Sequence, residues 1–278
     1  MTDALPPPHV VDTAACTAEV HDQGAQVARW APAGAGPVLY VSSAATFTPG
    51  RSIRGGVPVC WPWFGPGRGA AMEPAHGFVR TSPWEHVDRA DDGGEVTLTH
   101  RITSATATSP HWPHPYSLEL RSRLGHALEL TLTTTNTGPA PIDLEEALHA
   151  YLAVGDVREA TVEGLDGRSF FDKVAGTERT HHGPLTFDGE TDAVFRTSEP
   201  VTVVDPVLRR RLVVTTEGAA NVVVWNPWDA KAAEVPDIGA GEWTLFVCVE
   251  GANALDNAVT IAPGESHTMT YRLEVEPL

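Results

Sequence analysis

The chain reads as an all-β, antiparallel sandwich or barrel forming a single domain. Three observations predict this: short runs alternate apolar and polar residues, Val and Thr dominate those runs, and Gly, Pro, Asp and Asn punctuate the gaps. Val96-Thr97-Leu98-Thr99-His100-Arg101-Ile102 alternates as a half-buried strand does. Similar runs follow at Ser117–Leu124, Ala127–Thr135, Ile142–Val154, Val201–Val204, Arg211–Thr216, Asn221–Trp225, Thr244–Glu250 and His267–Val275. Asp91-Asp92-Gly93-Gly94 and Asn136-Thr137-Gly138-Pro139 each read as a hairpin connection. No long capped stripe of helical period appears, although Pro227–Asp237 has room for a helical turn or two. Many short strands without a linker or a fixed repeat predict a sandwich or barrel. Residues 1–14, with Pro6-Pro7-Pro8, are expected to be a loose tail, and residues 15–278 the domain.

Composition narrows the function classes. The 278 residues are 42% hydrophobic and 20% charged, which suits a packed core. Nineteen basic against 36 acidic residues give 19 − 36 = −17, the wrong sign for holding a nucleic-acid backbone or an anionic membrane surface. Nearly all the basic residues are Arg; Lys173 and Lys231 are the only lysines. The three cysteines, Cys16, Cys60 and Cys248, cannot all pair, and no two stand at metal-ligand spacing. The first residues carry neither a basic nor an apolar segment of a secretory signal, and no apolar run approaches the ~20 residues of a membrane helix. These features predict a soluble, cytoplasmic protein, expected to be a monomer with no nucleic-acid or membrane partner.

Four segments could carry chemistry. Ile53–Pro66 is too rich in Gly, Pro and aromatics for a strand and too apolar for a solvated loop. It is either a rigid loop shaping a cavity or one packing aromatics over an end of the sandwich. The following Gly65-Pro66-Gly67-Arg68-Gly69 lacks the strand and helix that a phosphate-cradling loop requires. In Ala75-His76-Gly77-Phe78-Val79-Arg80, a His and an Arg flank a Gly. In Pro141–Leu152, read as one strand, Ile142, Leu144, Leu148 and Leu152 share one face, and Asp143, Glu145, Ala147, His149 and Tyr151 the other. His149 thus stands either on the floor of a cleft or on an exposed strand face. Glu250 shares a face with Phe246 and Cys248 at the end of a strongly apolar run. It is either partly desolvated, which would raise its pKa and make it a better proton acceptor near neutrality, or turned to water at the strand end. A His and a buried Glu on neighbouring strands would form an acid/base pair. His111 with His114, and His181 with His182, have no zinc-site spacing, and no nucleophile elbow or Walker loop occurs.

Taken together, Arg54–Gly65, His76-Gly77-Phe78-Val79-Arg80, Leu148-His149-Ala150-Tyr151 and Cys248-Val249-Glu250-Gly251 resemble the hexose-6-phosphate mutarotases. These glucose-6-phosphate 1-epimerases are relatives of the aldose 1-epimerases. Glu190-Thr191-Asp192 and Trp225-Asn226-Pro227-Trp228, with Lys231 and Asp237 downstream, support the resemblance, which runs from about residue 15 to the end. It implies a galactose-mutarotase-like β-supersandwich of two large antiparallel sheets. By motif, His149 would be the general acid at the ring oxygen and Glu250 the base at the anomeric hydroxyl. Arg54 and Arg80 would hold the phosphorylated sugar, Asp192 would hydrogen-bond to it, and His76 would lie nearby. Ala75 stands where family members often carry Gln, and Thr81 where Asn is common. The resemblance implies a phosphorylated hexose as substrate, no cofactor and no metal. The alternatives are an epimerase of unphosphorylated aldoses and a non-catalytic carbohydrate-binding or sensor domain.

Overall fold

The computed structural model describes residues 4–68 and 72–278; residues 1–3 of the expected tail and Gly69 of the Gly-Pro-Gly run lie outside the described residues. The strands are β1 (His9–Asp12), β2 (Cys16–His21), β3 (Gln26–Pro32), β4 (Val59–Cys60), β5 (Glu85–Asp92) and β6 (Glu95–Thr103). They continue with β7 (Tyr116–Leu124), β8 (Leu128–Asn136), β9 (Ile142–Leu144), β10 (Glu146–Leu148), β11 (Tyr151–Ala153) and β12 (Thr161–Glu163). Next come β13 (Ser169–Asp172), β14 (Thr177–Thr180), β15 (Leu185–Thr186), β16 (Thr191–Phe195), β17 (Val201–Asp205) and β18 (Arg210–Glu217). The last are β19 (Asn221–Asn226), β20 (Phe246–Asn253), β21 (Val259–Ile261) and β22 (Ser266–Pro277). A short helix, α1 (Trp228–Ala232), fills the place left for a helical turn after Pro227. No helix among the described residues is long and apolar enough to cross a membrane.

Two large antiparallel sheets form the sandwich. One runs β14-β13-β16-β19-β20-β10-β4, with β11 also on β20; the other runs β15-β12-β17-β18-β22-β8-β7-β6-β5. The period-2 pattern places the core between them. On β8, Leu128, Leu130 and Leu132 are fully buried, each worth about 1.5–3 kcal/mol. The opposite face of β8 pairs Thr131, Thr133 and Thr135 with Thr270, Thr268 and Ser266 of β22 through side-chain hydroxyls. The sheets approach closely where Gly251 meets β18: a Cβ there would lie 2.7 Å from Thr216 Cγ2. Nearby, the Tyr271 hydroxyl donates to the Val249 carbonyl at 3.0 Å.

The structure corrects four expectations. The loose tail does not extend to residue 14: β1 pairs with β2 from His9↔Val20 to Asp12↔Thr17, and Val11 is fully buried. Burial of that apolar side chain and a 2.7 Å contact from His9 Nε2 to Asp22 Oδ1 secure the segment despite its proline-rich approach. Asn136–Pro139 is not a hairpin. The buried Asn136 amide donates to the Ala140 and Ile261 carbonyls and its oxygen accepts from the Gly138 amide, turning the chain out of the large sheet to pair β9 with β21. Gly93-Gly94, by contrast, does link β5 to β6, with φ of 60° and 98° at its two glycines. Ile142–Val154 is not one strand but three, and β20 continues beyond Glu250 to Asn253. Both of these last corrections bear directly on the site.

Candidate active site

Register brings the chemistry together. β10 pairs Leu148 with Gly251, and β11 pairs Tyr151 with Cys248, so both pieces keep one register on β20 and His149 falls opposite Glu250. Side chains at opposed positions share a face about 5 Å apart. The His149 amide donates to the Pro58 carbonyl, continuing the pairing with β4, and the ladder to β20 is interrupted at Ala150, whose amide donates back to the Leu148 carbonyl. His149 Nε2 stands 3.4 Å from Glu250 Oε1, with the two side chains 8% and 1% exposed. Glu250 is therefore a buried mid-strand carboxyl, and His149 lies on the floor of the sheet face.

The same face carries two rows of side chains. β16, β19 and β20 align Asp192, Trp225 and Cys248, and β11 adds Tyr151. The next row sets Val194 and Val223 beside Glu250. Lys173, just past β13, donates its backbone N–H to the Asp192 carbonyl and places its ammonium 2.9 Å from Asp192 Oδ2. Lys173 also lies over the Phe64 ring, 5.1 Å from its centroid. Tyr151 stacks on His149 with centroids 4.9 Å apart, and Trp225 meets the His149 ring edge-on at 5.8 Å.

The Gly- and aromatic-rich loop both shapes this face and packs the sandwich end. Trp61 and Trp63 are buried, donating to Thr134 Oγ1 and the Pro74 carbonyl at 3.1 and 3.0 Å. Before them, Arg54 donates to the Tyr151 hydroxyl at 2.8 Å and to Asp237 Oδ1 at 3.0 Å. Gly55 and Gly56 allow this approach: with φ of 119° and 62°, a Cβ at either would come within 2.3 Å of a backbone oxygen. His76, itself at φ 66°, packs its ring 5.6 Å from His149. Gly77 beside it cannot hold a side chain, since a Cβ would lie 1.8 Å from the Trp61 carbonyl oxygen. Arg80 donates to the Ala75 carbonyl at 2.7 Å, one residue before His76.

The electrostatics follow from burial. Desolvation pushes the Glu250 carboxyl well above the ordinary carboxylate value; Asp192 adds to the shift, while Lys173 and Arg80 oppose it. Burial drives His149 well below the ordinary histidine value, helped by the charges of Arg80 and Arg54. His76 is lowered for the same reasons, burial first and then Arg80. Its Nδ1 accepts from the Gly65 amide at 3.3 Å, so the neutral ring carries its proton on Nε2. Burial also raises Asp192, against the pull of Lys173. His149 Nδ1, Glu250 Oε2 and Arg80 Nε are buried without a hydrogen-bond partner among the described residues. Buried polar atoms in that condition are uncommon and suit a polyhydroxylated ligand.

All six residues selected from sequence, His149, Glu250, Arg54, Arg80, His76 and Asp192, thus belong to or border one sheet face. Sequence reasoning passed over Lys173 as a site residue. It enters through the register of β13 on β16, which no local motif encodes; its only signal is the scarcity of lysine in the chain.

The chain is similar to known proteins over most of its length. A family model described as "Aldose 1-epimerase" matches residues 9–274. A protein of Escherichia coli strain K12 named "Putative glucose-6-phosphate 1-epimerase" is 38% identical over 248 residues, covering 88% of this chain and 82% of the relative. One of the same name from Cenchrus ciliaris is 34% identical over 277 residues, covering 94% and 82%. The crystal structure of a "putative mutarotase" from Salmonella typhimurium superposes with a TM-score of 0.90 at 33% identity, covering 97% of this chain and 90% of that one. The two-sheet architecture is therefore the galactose-mutarotase-like supersandwich, in one domain.

Proposed function

The chain belongs to the aldose 1-epimerase family, and from that premise we propose that it is a hexose-6-phosphate mutarotase, interconverting the α and β anomers of glucose 6-phosphate and similar phosphosugars. The observation that carries this reading is the buried His149–Glu250 pair at 3.4 Å, ringed by Arg54, Arg80 and Lys173.

Opening a cyclic hemiacetal requires one proton removed from the anomeric hydroxyl and one delivered to the ring oxygen as the C1–O5 bond breaks. Glu250 takes the first proton and His149 gives the second. The product is the open-chain aldehyde, and rotation about C1–C2 presents its other face to the same hydroxyl. Closure runs the steps in reverse with the two residues exchanging roles, so the pair returns with the one proton it began with. Burial penalises both imidazolium and carboxylate, so the pair rests with its one proton on Glu250, and that proton passes to His149 across the 3.4 Å contact before the forward step. His76, donating from Nε2, orients a sugar oxygen, and Asp192 accepts from a hydroxyl.

An acidic chain must reverse its field locally to hold a phosphate. Arg54, Arg80 and Lys173 supply that reversal, and the charge-assisted hydrogen bonds are worth about 1.5–3 kcal/mol each. The protein acts as a monomer, with no cofactor.

One observation favours a second reading, an epimerase of unphosphorylated aldoses: Arg54 and Lys173 already bind Asp237 and Asp192. A non-catalytic binding domain is less consistent with a buried, raised carboxyl, which weakens the fold for no gain in affinity. The test is anomer exchange measured by NMR above the water background, on glucose 6-phosphate and on glucose, with wild type, Glu250→Gln and His149→Asn. Acceleration of the phosphosugar alone, lost in both folded variants, supports the proposal. Acceleration of glucose alone supports the second reading, and binding without acceleration the third.

A further inference from the structure

A histidine cluster lies outside the active face, around the edge strand of the nine-stranded sheet. On β6, Val96, Leu98 and Ile102 point into the core, yet His100 occupies the same face and is fully buried. An imidazole at a core position breaks the apolar pattern and calls for a reason. His86 is its cross-strand partner on β5, at a register shift between His86 and Asp88 that re-aims the strand. His9 reaches over from β1, and Asp22 from the turn after β2. His9 Nε2 and His100 Nε2 converge on one oxygen, Asp22 Oδ1, at 2.7 and 3.2 Å. The His9 ring lies 4.3 Å from His86 and 5.5 Å from His100, and His86 Nε2 is buried with no partner among the described residues.

We propose that His9, Asp22, His86 and His100 form a binding site for a divalent transition metal, with Zn²⁺ the best chemical match. Three imidazoles and a carboxylate are donors of the type Zn²⁺ takes in tetrahedral sites. One ligand atom each from His9, Asp22 and His100 already lies within 4.8 Å of the others. Bonds of about 2.0–2.2 Å set ligand atoms roughly 3.3–3.5 Å apart; the imidazole contacts to Asp22, at 2.7 and 3.2 Å, already lie inside that spacing, and the unpartnered His86 Nε2 would swing in as the fourth ligand. His9 and Asp22 are 27% and 38% exposed, which gives the ion an entry path from solvent. A bound ion would tie β1 to the edge of the large sheet, and the mutarotase chemistry does not need it.

The test is calorimetric titration of ZnCl₂ into the full chain, free of any polyhistidine tag and dialysed against chelator, with melting temperature read in parallel. We expect one ion per chain and a melting temperature that rises with Zn²⁺, as native-state binding requires. His9→Ala and His86→Ala should each weaken binding at least ~10-fold, as loss of a ligand does. Because His9 is partly exposed, its variant should stay folded by circular dichroism. Co²⁺ added to the wild type should give the intense visible bands of tetrahedral coordination, a readout independent of any variant. Absence of binding, or binding unchanged in both variants, would overturn the site and leave the cluster as a hydrogen-bonded clamp.

Discussion

His149 faces Glu250 across an antiparallel ladder that is interrupted over His149 and Ala150: pairing holds at Leu148↔Gly251 and resumes at Tyr151↔Cys248. The interruption gives the imidazole its own orientation while the strands on either side fix its distance from the carboxyl. In the proposed reaction the pair works with one proton, and burial raises Glu250 and lowers His149. We expect a bell-shaped kcat/KM profile for glucose 6-phosphate. Its acid limb should fall below the ordinary histidine value of about 6.5 and its alkaline limb above the ordinary glutamate value of about 4.3. A flat profile after subtraction of the water reaction would refute the shared-proton pair.

Replacing Glu250 by Gln should separate activity from stability. Loss of the proton acceptor should lower kcat by about 10²–10⁴-fold. The folded-state pKa of Glu250 lies above its unfolded value, so its favourable contribution is complete at pH below the unfolded value and is lost as pH rises through the folded one. Glu250→Gln removes that loss. Its melting temperature at neutral pH should equal or exceed that of the wild type, whereas a clear fall would mean that the carboxylate stabilises the fold.

Arg54 is tied to the proposed acid through Tyr151, to which it donates and which stacks on His149. Arg54→Ala should raise KM for glucose 6-phosphate about 10-fold or more, the loss of one charge-assisted contact. Arg54→Lys keeps the charge but not the fork to Tyr151 and Asp237, and should recover only part of that affinity. Equal KM values in wild type and both variants would remove Arg54 from the phosphate site.

A separate pH effect should come from His267, whose hydrogen bond to Glu146 raises it above the ordinary value despite partial burial. Its stabilisation is complete below the unfolded value of about 6.5 and is lost as pH rises through the higher folded value. Melting temperature should therefore decline over that window in the wild type, and the decline should be shallower in His267→Gln. Parallel curves would show that the ion pair does not govern it.

Gly77→Ala tests how tightly the His76 loop is held. A Cβ at φ 75°, 1.8 Å from the Trp61 carbonyl oxygen, must displace backbone, so the cost should exceed the ~1–3 kcal/mol of an unfavourable φ alone. Denaturant unfolding measures it, and a loss under ~1 kcal/mol would show that the loop yields.

Much was legible in the sequence, for identifiable reasons. Alternation of Leu with Thr and Glu along β8, and of Val and Leu with polar residues along β6, reports burial of one face, and burial is what makes a strand; these ranges agree to within a residue or two. Ile53–Pro66 read as a rigid loop from its Gly, Pro and aromatic content, and within it Gly55 and Gly56 take the positive φ that few other residues adopt. The same alternation misled at Ile142–Val154. It cannot register a chain that leaves one sheet for another, nor a single amide, that of Ala150, that folds back onto Leu148. The proline-rich start concealed β1, whose hold depends on the burial of Val11 and on His9 meeting Asp22 beyond the next strand. Local pattern therefore determined the fold class and the residue types at the site. Only the tertiary structure decided that Glu250 is buried beneath His149, that Lys173 stands beside Asp192 and that three scattered histidines gather near Asp22. Cross-strand register and desolvation arise between segments distant in sequence, where no local spacing carries the information.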